Sequence, residues 1–361
     1  MLLKHLKFVC YLLVGTLLCL CANPSIALAA EEASANPVYI SLSAVGDCTL
    51  GNDVKQNGAD CFNTIYAKEG PAYFFAYTKD IFSLDDLTIA NLEGVLTEKG
   101  SPTNKTWRFR GQPEYINMLK DASIEAVSFA NNHCRDYGEI SYEDTKTNLA
   151  LYGMPYSSEE NVCIVEKKGV KIGIASIQCA FRQGDEKGQA EYSDISFLKN
   201  LLKTKIDELK QADAQLILVN CHWGIEATRQ VTAQQKELGH FAIDEGADLV
   251  IGHHPHVLQP VENYNGRYII YSLGNFCFGG NKNPSDKQTM IWQQVFTIQP
   301  AGNQTDLVHI IPCRLSSVTK KNDYRPTPLL AGAEREKILN LMNQISQPYN
   351  IQFSSDGNLI P

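Results

Sequence analysis

Apolar runs in this chain keep stopping at the same kind of residue. Pro37 to Val45 ends at Gly46-Asp47, Leu87 to Leu92 at Glu93-Gly94, and Ile124 to Ala130 at Asn131-Asn132-His133. Leu216 to Asn220 ends at His222, and Leu249 to Gly252 enters the turn His253-His254-Pro255-His256. A sixth run, Tyr268 to Leu273, stops at Gly274-Asn275. Runs of this length and composition read as strands. Between them, Ile195, Leu198, Leu201, Leu202, Ile206 and Leu209 keep helical spacing, and Thr232 with Gln235 forms a capping box opening a helix up to Gly246. Cys163–Val165 and Val170–Ile177, split by Lys168-Gly169, read as a hairpin. Strands alternating with helices predict an α/β or α+β sheet layered with helices. Ligands of such sheets bind outside the carboxyl ends of the strands. The terminal residues should therefore converge on one rim, although they span more than two hundred positions.

Asp47, Glu93, Asn132, His133, His222, His254 and His256 are the residues this pattern collects. Carboxylate oxygens combined with imidazole nitrogens suit Zn, Mn or Fe. Eight histidines serve 361 residues, and three of them sit within four positions of the turn. On an extended segment His254 and His256 share a face, so both can reach one centre. Pro255 biases the residue before it toward that extended backbone. On this register His253 points away and is the spare. Each residue alone has a structural reading: an Asp after Gly is a turn residue, Asn-Asn-His a loop, and His222 beside Trp223 a core histidine. The coincidence at strand ends favours the metal site.

Weaker claims attach to nearby residues. Arg108 and Arg110 flank Phe109 on an extended piece, and a guanidinium there can clamp a substrate carboxylate or phosphate; two solvated arginines are the competing reading. Asp136, three residues after His133, is placed to orient it. Glu226, four after His222, is placed as the partner that sets that ring's tautomer. Asn275 and Gly274 shape the rim, the glycine by allowing close backbone approach.

Lys4 and Lys7, an apolar run from Phe8 to Leu20 and the boundary Ala27-Leu28-Ala29 make residues 1–30 a signal peptide or N-terminal membrane anchor. Either route places the protein outside the cytoplasm, secreted or held at the outer face of the membrane. Losing that leader takes the formal charge from −8 to −10, which argues against a nucleic-acid partner. Three of the eleven cysteines lie in the leader; the rest are scattered without a CxxC pair and assign no disulfide.

Taken in order, AVGDCTLG, ANLEGVLT, WRFRGQPEYINML, SFANNHCRDYG, VNCHWGIE, IGHHPHVLQP and IIYSLGNFCF resemble the CapA family, bacterial poly-γ-glutamate capsule synthesis proteins whose domain is similar to calcineurin-like metallophosphoesterases. The resemblance covers Ile40 to Phe278. It implies a four-layer sandwich, two sheets flanked by helices, as a domain over 38–280, with 281–361 supplying C-terminal strands and a helix that complete or extend it. It implies one or two divalent ions, Mn, Zn or Fe, sharing a bridging carboxylate. Asp47, Asn132, His222 and His254 match ligand positions, the closing Gly-His-x-His falls on His254-x-His256, and Asn91 and Glu93 stand where that fold has an aspartate. His133 matches the general acid that protonates a leaving group. The first block departs from the pattern: Asp-x-His there is Asp47-Cys48-Thr49 here, which puts a full two-metal site in doubt. The implied function is synthesis or export of poly-γ-glutamate or a similar anionic polymer, beside a membrane-embedded ligase and transporter. A metal-dependent phosphoesterase acting on another substrate and a non-catalytic assembly factor are the alternatives.

Overall fold

The computed structural model describes residues 37–180, 194–299 and 302–360. The leader expected over 1–30 lies outside them. Among the described residues no helix is long and apolar enough to cross a membrane.

Strand β1 (Val38–Thr49) organises the molecule. Along it Ile40, Leu42 and Ala44 face one core while Val45 and Cys48 face another, the alternation a strand imposes. It lies inside an eight-stranded sheet ordered β17 (Thr327–Pro328), β16 (Gln304–Arg314), β15 (Gln288–Ile298), β1, β3 (Leu87–Leu92), β6 (Ala126–Phe129) and β7 (Tyr156–Ser158), with β14 (Asn275–Phe278) also paired to β1. A six-stranded sheet runs β12 (Val261–Tyr264), β13 (Arg267–Ile270), β11 (Leu249–His253), β10 (Leu216–His222), β9 (Val170–Gln178) and β8 (Cys163–Lys167). β2 (Asn52–Asp53), β5 (Phe109–Gly111) and β4 (Val95–Leu96) form a small third sheet.

The two large sheets pack face to face. Ile40, Leu42, Leu87 and Ile89 of the first meet Ile172, Ile174, Leu218 and Ile251 of the second in one core. Each outer face is covered by helices. Phe62, Ile116, Leu119 and Tyr142, from helices Phe62–Glu69, Ile116–Asp121 and Glu139–Leu151, cover the first sheet. On the second, helix Ile195–Gln211 buries Leu198, Leu202, Ile206 and Leu209, a stripe at three- and four-residue spacing worth about 1.5–3 kcal/mol per fully buried side chain. Asp194 caps that helix by accepting from Ser196 N and Phe197 N. Helix Ala233–Asp244 opens with both halves of the Thr232–Gln235 capping box formed. The architecture is a mixed α/β sandwich of two sheets and two helical layers.

The stretch 281–361, where C-terminal strands and a helix were expected, holds β15, β16, β17 and a helix. β15 and β16 are eleven residues each, and β15 pairs antiparallel with β1 from Val38 to Ala44. Helix Ala333–Ser346 adds Ile338, Leu339 and Met342 to the core between the sheets. Strands β10 and β11 run on to His222 and His253 themselves, whereas the run read from Tyr268 to Leu273 is a strand only over Arg267–Ile270. The cysteines from Cys48 to Cys313 are free thiols, all buried except the half-buried Cys163.

Candidate metal centre

At Asp47 the central strand changes partner. Its pairing with β15 stops at Ala44, the register with β3 slips between Ala44 and Asp47, and β14 pairs from Asp47 onward. Gly46 makes the exchange possible, because a Cβ there would lie 1.9 Å from Gly274 O. The close approach expected of Gly274 thus depends equally on Gly46, and it lets Asp47 N donate to Gly274 O at 2.9 Å.

The strand ends then converge. Asp47 and Glu93 are fully buried, and Asn132, His222 and His254 nearly so. Asn91 Nδ2 donates to Asp47 Oδ1 at 2.8 Å. Asn132 Oδ1 lies 2.9 Å from His222 Nε2, which is 3.7 Å from Glu93 Oε1. His256 Nδ1 meets Asn275 Oδ1 at 2.9 Å and Asp47 Oδ2 at 3.2 Å, with its Nε2 3.8 Å from Glu93 Oε1. The rings of His222 and His254 are centred 4.8 Å apart. Two groups result, Glu93 with His222 and His254, all buried, and buried Asp47 and Glu93 with the half-buried His256; within each, the candidate ligand atoms all lie within 4.8 Å of one another. Glu93 belongs to both. A third group at the outer side joins exposed Glu226 to His254 and His256.

These residues fit a divalent cation. Glu93 Oε1 and His254 Nδ1 are buried without a hydrogen-bond partner, a state costing about 1–3 kcal/mol per atom unless something meets it. Burial pushes the Glu93 carboxyl up to about 8. Burial and the neighbouring His256 take His254 down to about 3, and burial with His254 nearby holds His222 well below the usual imidazole range, so both rings are neutral, as ligands must be. Burial would also raise Asp47, but contacts with His253 and His256 hold it well below the usual carboxylate range. His256 goes the other way: burial disfavours its charge, yet Glu93 and Asp47 raise it to about 10. Two carboxylates thus draw a positive charge into this pocket.

The histidine turn presents its rings by a different route from the one its spacing predicts. His254 has φ 95° and His256 φ 57°, so the segment is not extended, and Pro255 does not hold the residue before it in the β region. Left-handed backbone at both positions, not alternation, turns the rings inward. A non-glycine residue held at positive φ is strained, a condition common at functional sites. His253 is not a spare pointing away either. It ends β11 with Nδ1 3.4 Å from Asp47 Oδ1 and Nε2 3.3 Å from Asn220 Oδ1, and so braces the carboxylate.

The expectation for Glu226 needs correction as well. Glu226 does not set the His222 tautomer: Asn91 and Asn132 meet that ring's nitrogens, while Glu226 lies beside His254 and His256. Arg108 Nη1 donates to Thr103 O and Arg110 lies 4.2 Å over the Tyr137 ring, contacts made within the small sheet's surroundings. At the first block Thr49 occupies the position of the missing histidine and donates to Glu93 Oε2 at 3.4 Å. Cys48 packs among the apolar residues of the helical side, and burial pushes its thiol up to about 12, the wrong direction for a thiolate ligand.

Beside the centre His133 Nδ1 lies 2.6 Å from Asp136 Oδ2, with the Phe109 ring centred 4.4 Å from the imidazole. Lys105, which no sequence pattern singled out, bonds Asp136 Oδ1 at 2.5 Å and the Asn132 carbonyl at 2.7 Å. Asn220 and Asn131 were also missed; Asn131 Nδ2 donates to Leu92 O and its Oδ1 accepts from His133 N.

Residues 41–280 match the family described as "Bacterial capsule synthesis protein PGA_cap". The PGA biosynthesis protein CapA of Bacillus subtilis (strain 168) is 31% identical over 250 residues, 66% of this chain and 63% of that protein; the match thus spans less than two thirds of that relative's length. The capsule biosynthesis protein CapA of Bacillus anthracis is 25% identical over 315 residues, 83% of this chain and 72% of that protein. Among solved structures, the NAD nucleotidase NadN of Haemophilus influenzae covers 85% of this chain and 56% of its own at 13% identity and a TM-score of 0.41, a likeness too loose to bear on the site. With most of its length matched, from the first strand through the last strand at the rim, the chain belongs to the bacterial capsule synthesis protein PGA_cap family.

Proposed function

We propose that the protein acts outside the cytoplasm in the synthesis or export of an anionic capsule polymer, poly-γ-glutamate or a close relative, and that it does so through a metal-dependent hydrolytic centre. The observation that carries the metal reading is the pair of ligand groups sharing Glu93. The polymer follows from the family and from the printed names of its relatives. Membrane-embedded ligase and transporter subunits are the partners this reading calls for.

In this reading Asp47, Glu93, Asn132, His222, His254 and His256 hold one or two divalent ions, of Mn, Zn or Fe. Such an ion supplies Lewis acidity and lowers the pKa of water. The chain's own groups do the rest. Asp136 accepts from His133 Nδ1, which leaves Nε2 free to deliver a proton to a leaving group. Asn275 and His253 hold His256 and Asp47 in place. Arg108, just before β5, and Arg110, within it, are the side chains this reading gives to an anionic substrate.

Metal analysis of the purified full-length chain, followed by assays on a generic phosphodiester and on poly-γ-glutamate, tests this. One or two bound equivalents with turnover of either substrate support it. Metal without turnover leaves a non-catalytic assembly factor, and absence of metal binding sinks the centre itself.

A further inference from the structure

Lys105 lies between β4 and β5, on the segment that runs past His133. Its side chain is only 11% exposed. Its ammonium reaches Asp136 Oδ1 at 2.5 Å, the Asn132 carbonyl at 2.7 Å and His133 Nδ1 at 3.5 Å. Two of the three ammonium protons go to Asp136 and the Asn132 carbonyl; with His133 Nδ1 donating to Asp136, its approach to the ammonium is proximity and not a third hydrogen bond. The same segment grips Asp136 elsewhere: Thr103 N and Oγ1 both donate to its carbonyl at 2.9 Å, and Phe109 N donates to Oδ2 at 2.7 Å. With His133 and Phe109 on one carboxylate oxygen, Lys105 is the group that occupies the other.

We propose that Lys105 is a positioning residue of the centre: it pins the Asn132–His133 pair, holding Asn132 Oδ1 against His222 and His133 in a single ring orientation. The proposal rests on reading Asn132 as a ligand and His133 as the proton carrier. Burying a lysine costs rotamer freedom before any desolvation. A lysine serving only to fasten the segment could bond Asp136 alone. This one also holds the main chain of Asn132, the residue whose side chain meets His222. With Lys105 absent, the Asn132 carbonyl loses a charged donor and the Asp136 carboxylate is held through Oδ2 alone, so both working side chains are aimed less tightly.

Lys105→Met keeps the aliphatic stem and removes the charge; Lys105→Arg restores the charge, and Lys105→Gln serves if the Met variant fails to fold. Two readouts separate positioning from simple support. In protein stripped of metal with a chelator, the His133 ring nitrogens, assigned with His133→Asn, should show one fixed tautomer in wild type and lose it in Lys105→Met. In a Mn or Zn titration followed by calorimetry, affinity should fall about 10–100-fold, the usual cost of removing a group that orients a ligand, and Lys105→Arg should recover most of it. A folded Lys105→Met or Lys105→Gln with a lowered melting temperature but unchanged His133 signals and unchanged metal affinity overturns the proposal. Should the wild type bind no metal, the proposed centre fails by itself, and the ring signals still decide the role of Lys105.

Discussion

Asp47, Glu93 and Asn132 leave the first sheet carrying oxygen, while His222, His254 and His256 leave the second carrying nitrogen. Neither half makes sense alone. The first brings two fully buried carboxylates to one place, where their repulsion and desolvation oppose folding. The second brings three imidazoles, His222 and His254 held neutral by burial, with His254 and His256 on strained left-handed backbone. Face to face, each supplies what the other lacks, and the proposed cation between them would complete both. A single sheet has one set of strand ends. Two sheets packed on a shared core offer two sets of opposite chemistry, held at a spacing fixed by Leu42, Ile89, Leu218 and Ile251 rather than by the site.

The hardest blow to this pairing is Glu93→Gln. Glu93 belongs to both groups, so metal should be lost at both, with affinity down by at least about a hundredfold in calorimetry; a variant that keeps a full equivalent of tight metal would show the halves are not joined through Glu93. His254→Ala removes a ligand from the second sheet and should lower affinity nearly as far. His133→Ala should leave metal content almost intact while any hydrolysis falls about 10²–10⁴-fold, the usual worth of general acid–base help. Equal loss of metal would make His133 a ligand. His253→Ala sharpens the comparison: a brace on Asp47 should cost about tenfold in metal affinity, and a silent variant would restore His253 as a spare.

The smallest effect concerns the other end of the same strands. Asp85 precedes β3 and accepts from Thr88 Oγ1 at 2.8 Å. Burial pushes its carboxyl up to about 7, where Asp47, facing imidazoles, is held low. A raised folded pKa means the folded state holds a proton that the unfolded state releases near 4, so stability is lost as pH rises from about 4 to about 7 and is level above. Asp85→Asn should escape that loss and melt a few degrees higher than wild type at about pH 8, with the gap closing as the pH falls toward 4. A gap that does not depend on pH would refute this account of Asp85.

Much of the site was legible because strand ends are local. An apolar run that stops at a carboxylate or imidazole is visible without a partner, and Asp47, Glu93, Asn132, His222 and the histidine turn were all found that way. His254 and His256 reach the cluster by a route other than the alternation their spacing suggests, since φ depends on how the turn is anchored, here by Asp47 accepting from His254 N and Pro255 O accepting from Ala227 N. Lys105 was invisible because a lysine in a polar loop looks solvated until Asp136 is placed beside it. The C-terminal strands were expected only as a group over 281–361, and the bounds of β15 were not legible because polar side chains interrupt it. Gln294 is fully buried, its amide bonded to Thr305 Oγ1 and to Trp292 Nε1, so polarity there does not mark exposure.

The pairing of β1 with β15 has a consequence in time. Gln293 Nε2 reaches Ser43 Oγ across 250 positions of chain. The strand made first, at the middle of the larger sheet, has no antiparallel neighbour until most of the polypeptide exists, and contacts that close such long loops form slowly. A nascent chain halted before Gln288 would leave Val38 to Ala44 open along the edge that β15 takes, an invitation to associate with other chains. The protein is therefore one whose N-terminal portion must be kept from committing early. Its folding should begin in the locally connected second sheet, where β8 to β13 follow one another closely, and the central strand should dock last.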